Sequence, residues 1–384
     1  MFQDIPTYYE GSKLSLRSEL ALTSLPSTDV SCLFSADYLP FYPILPIRDQ
    51  FAPCEFVINS DSYLDLSDSY LHIVCRIIKE NGEDCTASDK VCASNLMFHM
   101  LWKNLDVYVN GKLVFDSSNT YSIGAYINRL LTTSRAIKDT RLRSEFWYPN
   151  ERPDDFGDSA TGYATRYEKT KLSQQFSLFG QLVNGLFQQS RFLVPQTEIR
   201  IVLRRNPADF CLDNRVDKDG VTPLKYKVEI DEAIMYVARK PVSPQIVNLH
   251  RSQMDRNETF KYVLNEGSVK SFNIPAGLSS ISSDSLLVGR IPRVIVIGLV
   301  QSSAIQGRLT QSPVNFNHFN LSNLCVQWSV ESLEQRSVSL NFKTTTHLAS
   351  DSYLLAYNSL RKAVGNELMW NGLSPEQYKN GESK

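Results

Sequence analysis

The chain lacks any excess of charge of one sign. Its 384 residues carry 40 basic and 41 acidic side chains, a formal net charge of -1, so no global field draws it to nucleic acid or to an anionic membrane. Any contact with a polyanion has to be local. Histidine is scarce: His72, His99, His250, His318 and His347 are far apart and no H-x-H occurs, which removes the clustered ligand set of a jelly-roll metal site. The seven cysteines (Cys32, Cys54, Cys75, Cys85, Cys92, Cys211 and Cys325) are odd in number, scattered, and never in a C-x-x-C arrangement. Reduced thiols fit that pattern better than disulfides or zinc ligands. G-x-x-x-x-G-K-[ST], G-x-G-x-x-G and G-x-S-x-G are all missing, so nucleotide-dependent enzymes and α/β-hydrolases lose their anchors. Long apolar runs are missing too. A membrane span could be sought only at 285–305, where Arg290, Pro292 and Arg293 interrupt it well short of the ~20 residues a helix needs. The first residues, MFQDIPTYYEGSKLSLRSEL, hold neither the apolar core of a signal peptide nor a polybasic arm, and point to cytosolic synthesis.

What is present is enough apolar material for a packed interior: 42% hydrophobic against 21% charged residues, the balance of a folded globular chain. Strand patterns dominate. In Tyr70–Lys79, Leu71, Ile73, Cys75 and Ile77 fall on one face, the period-two alternation of a half-buried strand, closed by Asn81-Gly82. Leu105–Val109 and Lys112–Phe115 flank Asn110-Gly111, whose tolerance of positive φ suits a tight hairpin turn. The stretch 192–205 holds two further segments, the second with Ile199, Ile201 and Leu203 on one side, and a strand runs from Tyr226 through Val228, Ile230 and Ile234 to Val237. Within 289–327, the run Val294–Val300 is too short for a typical helix and apolar on both faces, which predicts a strand covered on both sides.

Helices are fewer. Leu96, Met97, Met100 and Leu101 repeat at helical spacing behind a Ser94 cap, and Ile123, Ile127, Leu130 and Leu131 do so after Ser118 or Asn119. A third helix is expected from an Asp351 cap through Leu354, Tyr357, Leu360 and Val364 to a Gly365 stop, by the usual capping logic. Many strands with short interposed helices indicate jelly-roll or sandwich modules rather than alternating α/β units. Lys240-Pro-Val-Ser-Pro-Gln245 reads as a polar break between two modules, and 148–162 reads as an exposed loop of the first.

Candidate sites are weak. Arg200, Arg204 and Arg205, with Arg215 nearby, form the clearest basic cluster, but Ile201, Val202 and Leu203 fill the intervening positions where single-stranded nucleic acid would want exposed aromatics. A solvated face or an ion-pair patch fits better. His318 lies in Asn315–Asn320, a polar and aromatic alternation that could line a site; the simpler reading anchors Phe316 and Phe319 in cores and uses the asparagines in turns. Trp102, Trp147, Trp328 and Trp370 could stack on sugars only in a lectin-like sandwich, and the sequons at Asn257 and Asn320 matter only in a secreted chain. No catalytic, cofactor-binding or metal-binding residue is assigned, and no cofactor is expected.

Four blocks carry a family resemblance. They are Ser18–Leu22 with Leu25–Thr28; Phe56–Ile58 with Tyr63–Leu66 and the strand that follows to Gly82; Leu105–Val114 with Tyr121–Leu131; and Ile291–Leu321, above all Pro313–Asn320. In order and spacing, over nearly the whole chain, they resemble the double-jelly-roll major capsid proteins, or hexons, of Polinton/Maverick elements and adintoviruses, which also persist as virus-derived genes in animal genomes. The resemblance implies an all-β fold with short helices and two tandem jelly-roll barrels: an N-terminal arm at 1–28, a first jelly roll at 29–240 and a second at 241–384. Family members continue past the segment matching Asn371–Gly381 into strands that finish the second barrel, so the resemblance implies an incomplete second barrel here. It further implies a non-enzymatic, virus or virus-derived capsid subunit that forms homotrimers, pseudo-hexameric capsomers of an icosahedral shell. Its partners would be copies of itself and penton or minor capsid proteins, with no small-molecule substrate, no specific nucleic acid and no membrane span. It would be made in the host cytoplasm and reside in the virion capsid, with barrel-end loops and the N-terminal arm as contacts. Alternatives are a domesticated host interaction scaffold, a single-jelly-roll minor or penton capsid protein, and a jelly-roll enzyme.

Overall fold

A computed structural model of the chain describes residues 37–48, 51–150, 154–157, 160–214, 225–265, 267–282, 292–327, 335–342, 352–364 and 372–380. The expected arm at 1–28, Arg215, Asp351 and Gly365 lie outside the described residues. By compactness the chain divides into two units, 1–36 with 240–260 and 37–239 with 261–384. In the first, Pro244 stands in the opening turn of helix Pro244–Asp255, where its missing N–H costs nothing.

The architecture of the second unit is an all-β core with short helices. Twelve strands are described: β1 (Asp37–Phe41), β2 (Cys54–Ile58), β3 (Tyr63–Lys79), β4 (Val91–Ala93), β5 (Trp102–Val109), β6 (Lys112–Asp116), β7 (Phe176–Gly180), β8 (Ile199–Arg205), β9 (Leu212–Asn214), β10 (Tyr226–Lys240), β11 (Asn323–Gln327) and β12 (Gln335–Ser339). Eight of them form two four-stranded sheets, ordered β1-β10-β3-β7 and β2-β8-β5-β6, while β4 pairs with β9 and β11 with β12. Counted along the chain, the first of the eight lies beside the last, the second beside the seventh, the third beside the sixth and the fourth beside the fifth. That is one long hairpin rolled up on itself, the jelly-roll arrangement of two antiparallel sheets.

The sequence dictates this roll locally. Leu71, Ile73, Cys75 and Ile77 are all fully buried along β3, as their alternation requires. With Phe56, Ile58, Val107, Leu178, Ile201, Leu203, Val228 and Ile230 they form one core between the sheets. The hairpin closes at Asn110 (φ 48°) and Gly111 (φ 75°), two positive-φ positions whose twist matches the strands it joins. Asn110 is also fixed to the residue before β8: its N–H donates to the Glu198 carbonyl (2.9 Å) and its Oδ1 accepts the Glu198 N–H (3.0 Å). Truncating Ile73, fully buried at the centre of β3, to alanine should lower unfolding free energy by about 2–5 kcal/mol, measured by urea titration; a change near zero would mean that this core is not closed.

Several local expectations are corrected. Val294–Val300 forms no strand: Val294, Ile295, Val296 and Ile297 are 36–47% exposed, because among the described residues no strand lies beside them, and Leu299 alone in the run accepts a backbone bond, from Asn317 (3.0 Å). The helix behind Ser94 shrinks to Met97–Met100, since Leu96 is left-handed (φ 57°) and Trp102 already opens β5. Ser94 is not its cap; its N–H donates to the Cys211 carbonyl (3.1 Å). Helix Tyr121–Thr132 follows Thr120, Ser118 and Asn119 being taken up by a positive-φ turn. Of the two segments expected in 192–205, only β8 is a strand; the other makes an isolated bridge between Leu193 and Leu64. The stretch 148–162 is only partly exposed. Asn150, Phe156 and Ala160 are buried, and helix Thr161–Thr170 begins inside it. Phe319 is no core anchor, at 53% exposure. Helix Ser352–Val364 forms, with Leu360 and Val364 packed on the core.

Candidate functional site

The interior holds two polar networks that no motif announces. His99, on helix Met97–Met100, is fully buried and Glu145 nearly so. His99 Nε2 lies 3.1 Å from Glu145 Oε2 and Nδ1 lies 3.0 Å from the Tyr121 hydroxyl. Arg129 closes the group as a fork on the same carboxylate, Nε to Oε2 at 3.0 Å and Nη2 to Oε1 at 2.8 Å, and donates also to the Gln181 carbonyl (3.1 Å). Burial lowers the His99 pKa, and the upward pull of Glu145 does not overcome it. Burial alone would push Glu145 upward; the His99 hydrogen bond and the Arg129 charge outweigh it and hold the carboxyl below its ordinary value. The ring is therefore a neutral imidazole donating to an ionised carboxylate that Arg129 balances. β7 ends against this group: a Cβ on Gly180 would come within 2.6 Å of Glu145 Cγ and 2.9 Å of Phe98, so only glycine fits.

The second network centres on Arg166 of helix Thr161–Thr170. Its Nη2 donates to Asp213 Oδ2 on β9 (2.8 Å), Nε to the Ala93 carbonyl on β4 (2.8 Å), and Nη1 to Asn150 Oδ1 (3.1 Å) and to the Tyr148 carbonyl. One guanidinium thus fastens the small β4–β9 sheet to the 148–150 segment. Asp154 continues the fastening: its carboxylate accepts the Ser312 N–H (2.8 Å) and the Asn315 amide (2.6 Å).

Neither network offers chemistry to a substrate, since both are occupied internally. Burial pushes the thiols of Cys54, Cys92 and Cys211 up to about 12, which keeps them protonated and unreactive near neutral pH. No group of three or more His, Cys, Asp or Glu side chains is placed to hold a metal among the described residues. His318 stacks on Phe342 (4.3 Å between centroids, 9° between planes) and its Nδ1 accepts the Asn320 N–H (2.9 Å), which makes it part of a turn. His72 and His250 stand beside Phe179 and Phe260; His347 lies outside the described residues. Trp102 and Trp147 are buried and offer no sugar platform; Trp328 and Trp370 lie outside the described residues. Arg200 is bound by Glu55 and Arg204 by Asp106 (2.6 Å), while Arg205 donates to the Ile47 carbonyl. The arginines of β8 are spent within the chain.

The informative surface is apolar and aromatic. Tyr38 on β1, Tyr70 on β3 and Phe179 on β7 form a line across the outer face of one sheet, with Tyr38 6.1 Å from Tyr70 and Tyr70 stacked on Phe179 at 4.9 Å. Tyr42, Ile44 and Leu45 are exposed beyond β1, and Val263, Phe272, Ile274, Leu278 and Ile281 further along the chain, Val263 at 71%. Exposed apolar groups on this scale are what association surfaces display.

No family model matches the chain. The sequence is similar to an uncharacterised protein of Caenorhabditis elegans, F54H12.2: 22% identity over 325 residues, 82% of this chain and 73% of that protein. Three solved structures show a likeness. The mavirus major capsid protein has 10% identity and a TM-score of 0.37 over 63% of this chain and 55% of that one. The Sputnik virophage structure has 13% identity and a TM-score of 0.44, with 63% and 54% covered, and the Faustovirus major capsid protein 11% and 0.38, with 61% and 58% covered. The chain spans about half the length of the solved structures it matches.

The residues that matter most for the fold's polar interior, Arg129, Glu145, Arg166 and Asp213, were not distinguishable in the sequence. The available signal was a histidine set among the apolar residues Leu96–Leu101, and it does not say which carboxylate faces it. No helix among the described residues is long and apolar enough to cross a membrane.

Proposed function

We propose that the chain is a structural coat subunit of the double-jelly-roll capsid kind, viral or virus-derived, that works by self-association into trimers and shells. The observation that carries this reading is the rolled hairpin itself. Its interior is filled by apolar side chains, with the buried ionic groups His99, Glu145, Arg166 and Asp213 paired from within, while large apolar side chains remain on the outside. A scaffold of that sort binds through wide surfaces rather than a pocket. In this reading residues 241–384 make up a second, incomplete barrel lacking its last strands, a reading supported by the antiparallel β11–β12 pair. Penton or minor capsid proteins and the virion shell are the corresponding partners and location, after synthesis in the host cytoplasm.

Size-exclusion chromatography with light scattering on the purified chain tests this. The expected species has three times the mass of one chain, and higher assemblies form as concentration rises. A strictly monomeric protein at every concentration, or one that turns over a substrate with a bound metal, would remove the coat reading.

A further inference from the structure

Arg200 and Arg204 of β8 are paired with carboxylates, but among the described residues a different set of cations is not. The turn Arg141–Glu145 lies along β7, held by the Ser144 hydroxyl donating to the Phe179 carbonyl (2.8 Å) and by Arg141 Nη2 donating to Gln181 Oε1 (2.6 Å). Arg141 and Arg143 are exposed on it, and Lys169 is exposed on helix Thr161–Thr170. Arg143 and Lys169 both stand over the Tyr148 ring, at 5.6 and 5.5 Å from its centroid. Among the described residues, none of the three cations has a carboxylate within ion-pairing distance; the nearby acids are engaged elsewhere, Glu145 with Arg129, Glu168 with Lys171 and Asp68 with the Tyr38 hydroxyl. The Tyr148 backbone is fixed from both sides, its N–H to Asn95 Oδ1 (2.8 Å) and its carbonyl to Arg166.

These placements bring together cations with no carboxylate beside them among the described residues and partly exposed rings: Tyr70 and Phe179, then Arg141, Arg143, Tyr148 and Lys169. We propose that this border of the β1-β10-β3-β7 sheet binds single-stranded nucleic acid without sequence preference, phosphates lying on the three cations and bases against the Tyr70 and Phe179 rings. The chemistry is that of single-strand grooves generally, backbone charge neutralised by Lys and Arg and bases held by stacking. An acidic peptide would use the cations but leave the rings unemployed. The surface is complete within one chain, so this binding does not depend on the coat reading and a monomer would show it.

The test is fluorescence anisotropy of the full chain with a labelled oligothymidylate of about 20 nucleotides. Three neutralised phosphates give a log–log salt slope of about -2, so affinity should fall roughly 20-fold between about 50 and about 200 mM salt. Arg143→Gln combined with Lys169→Gln should leave one contact and a fall of only about threefold. Phe179→Ala should weaken binding by about tenfold at both salt concentrations without altering the slope. Thermal melts unchanged from the parent chain establish that these surface variants fold. No binding at low salt, folded variants that bind like the parent, or displacement by polyglutamate as effective as by unlabelled oligothymidylate would each overturn the proposal, the last in favour of an acidic protein partner.

Discussion

Replacing Glu145 by alanine is expected to destabilise the protein by about 3–5 kcal/mol, the range found when one member of a buried ion pair is removed. The cause is what remains behind. Arg129, largely covered, would keep its charge with no carboxylate opposite it, only the Gln181 carbonyl and His99 Nε2, and the fully buried His99 would lose its carboxylate partner. Glu145→Gln, which keeps the shape and one acceptor oxygen, should cost markedly less. Urea titrations of the two variants check this; equal, small effects would mean that the carboxylate charge contributes nothing.

The same group sets a dependence on pH. Burial holds His99 below its ordinary value in the folded protein, so below the unfolded value of about 6.5 the unfolded chain binds a proton that the folded one refuses. Stability contributed by the neutral ring is therefore present above about pH 6.5 and lost as pH falls, at up to about 1.4 kcal/mol per pH unit. Glu145, also held low, adds a loss of the same sign at pH values below the ordinary carboxylate range. His318 is lowered as well, by its partial burial and by Lys379. Comparing His99→Asn and His318→Asn separates the two, and the flatter profile between pH 5 and 6.5 should belong to His99→Asn.

Arg166→Met is the second large effect, again about 3–5 kcal/mol. Methionine approximates the stem but leaves the buried Asp213 carboxylate and the carbonyls of Ala93 and Tyr148 without their donor. Burial already pushes Asp213 upward against the pull of Arg166, so losing the guanidinium favours a protonated carboxyl and a loosened 148–162 segment. Limited proteolysis should cut the variant within 148–162 faster than the parent chain while β3 and β8 stay protected. Adding Asp213→Leu should recover part of the loss, because a pair of apolar groups avoids the unpaired buried charge, although the two carbonyls stay unsatisfied. Cleavage rates equal to the parent's would mean that Arg166 does not fasten that segment.

How much was legible beforehand follows from which interactions are local. The alternation in β3, the Asn110-Gly111 turn and the Ile199, Ile201 and Leu203 face of β8 could be read directly, because side-chain period and turn chemistry are properties of a few consecutive residues. β1 and β7 were missed: Asp37–Phe41 carries a proline and Phe176–Gly180 reads as a short mixed segment, and both become strands by pairing along β10 and β3. The opposite failure occurred at Val294–Val300, where the pattern of a covered strand is present but, among the described residues, no strand pairs with it, so Val294–Ile297 are exposed. The 148–162 segment looked like a loop because its polar composition is local information, whereas Phe156 finding Cys92 and Tyr163 is not.

By itself the sequence determined the β character of the chain, the main hairpin, the lack of an H-x-H cluster and a net charge too small for any global attraction to polyanions. Only the tertiary structure decided that the eight strands roll into one sandwich, that His99 meets Glu145 and Arg129, that Arg200 and Arg204 of β8 are paired with carboxylates, and that among the described residues Arg141, Arg143 and Lys169 are not. The reason is separation along the chain: charge totals and periodicity are sums over near neighbours, but compensation of one charge by another depends on residues tens of positions apart being brought within a few ångströms.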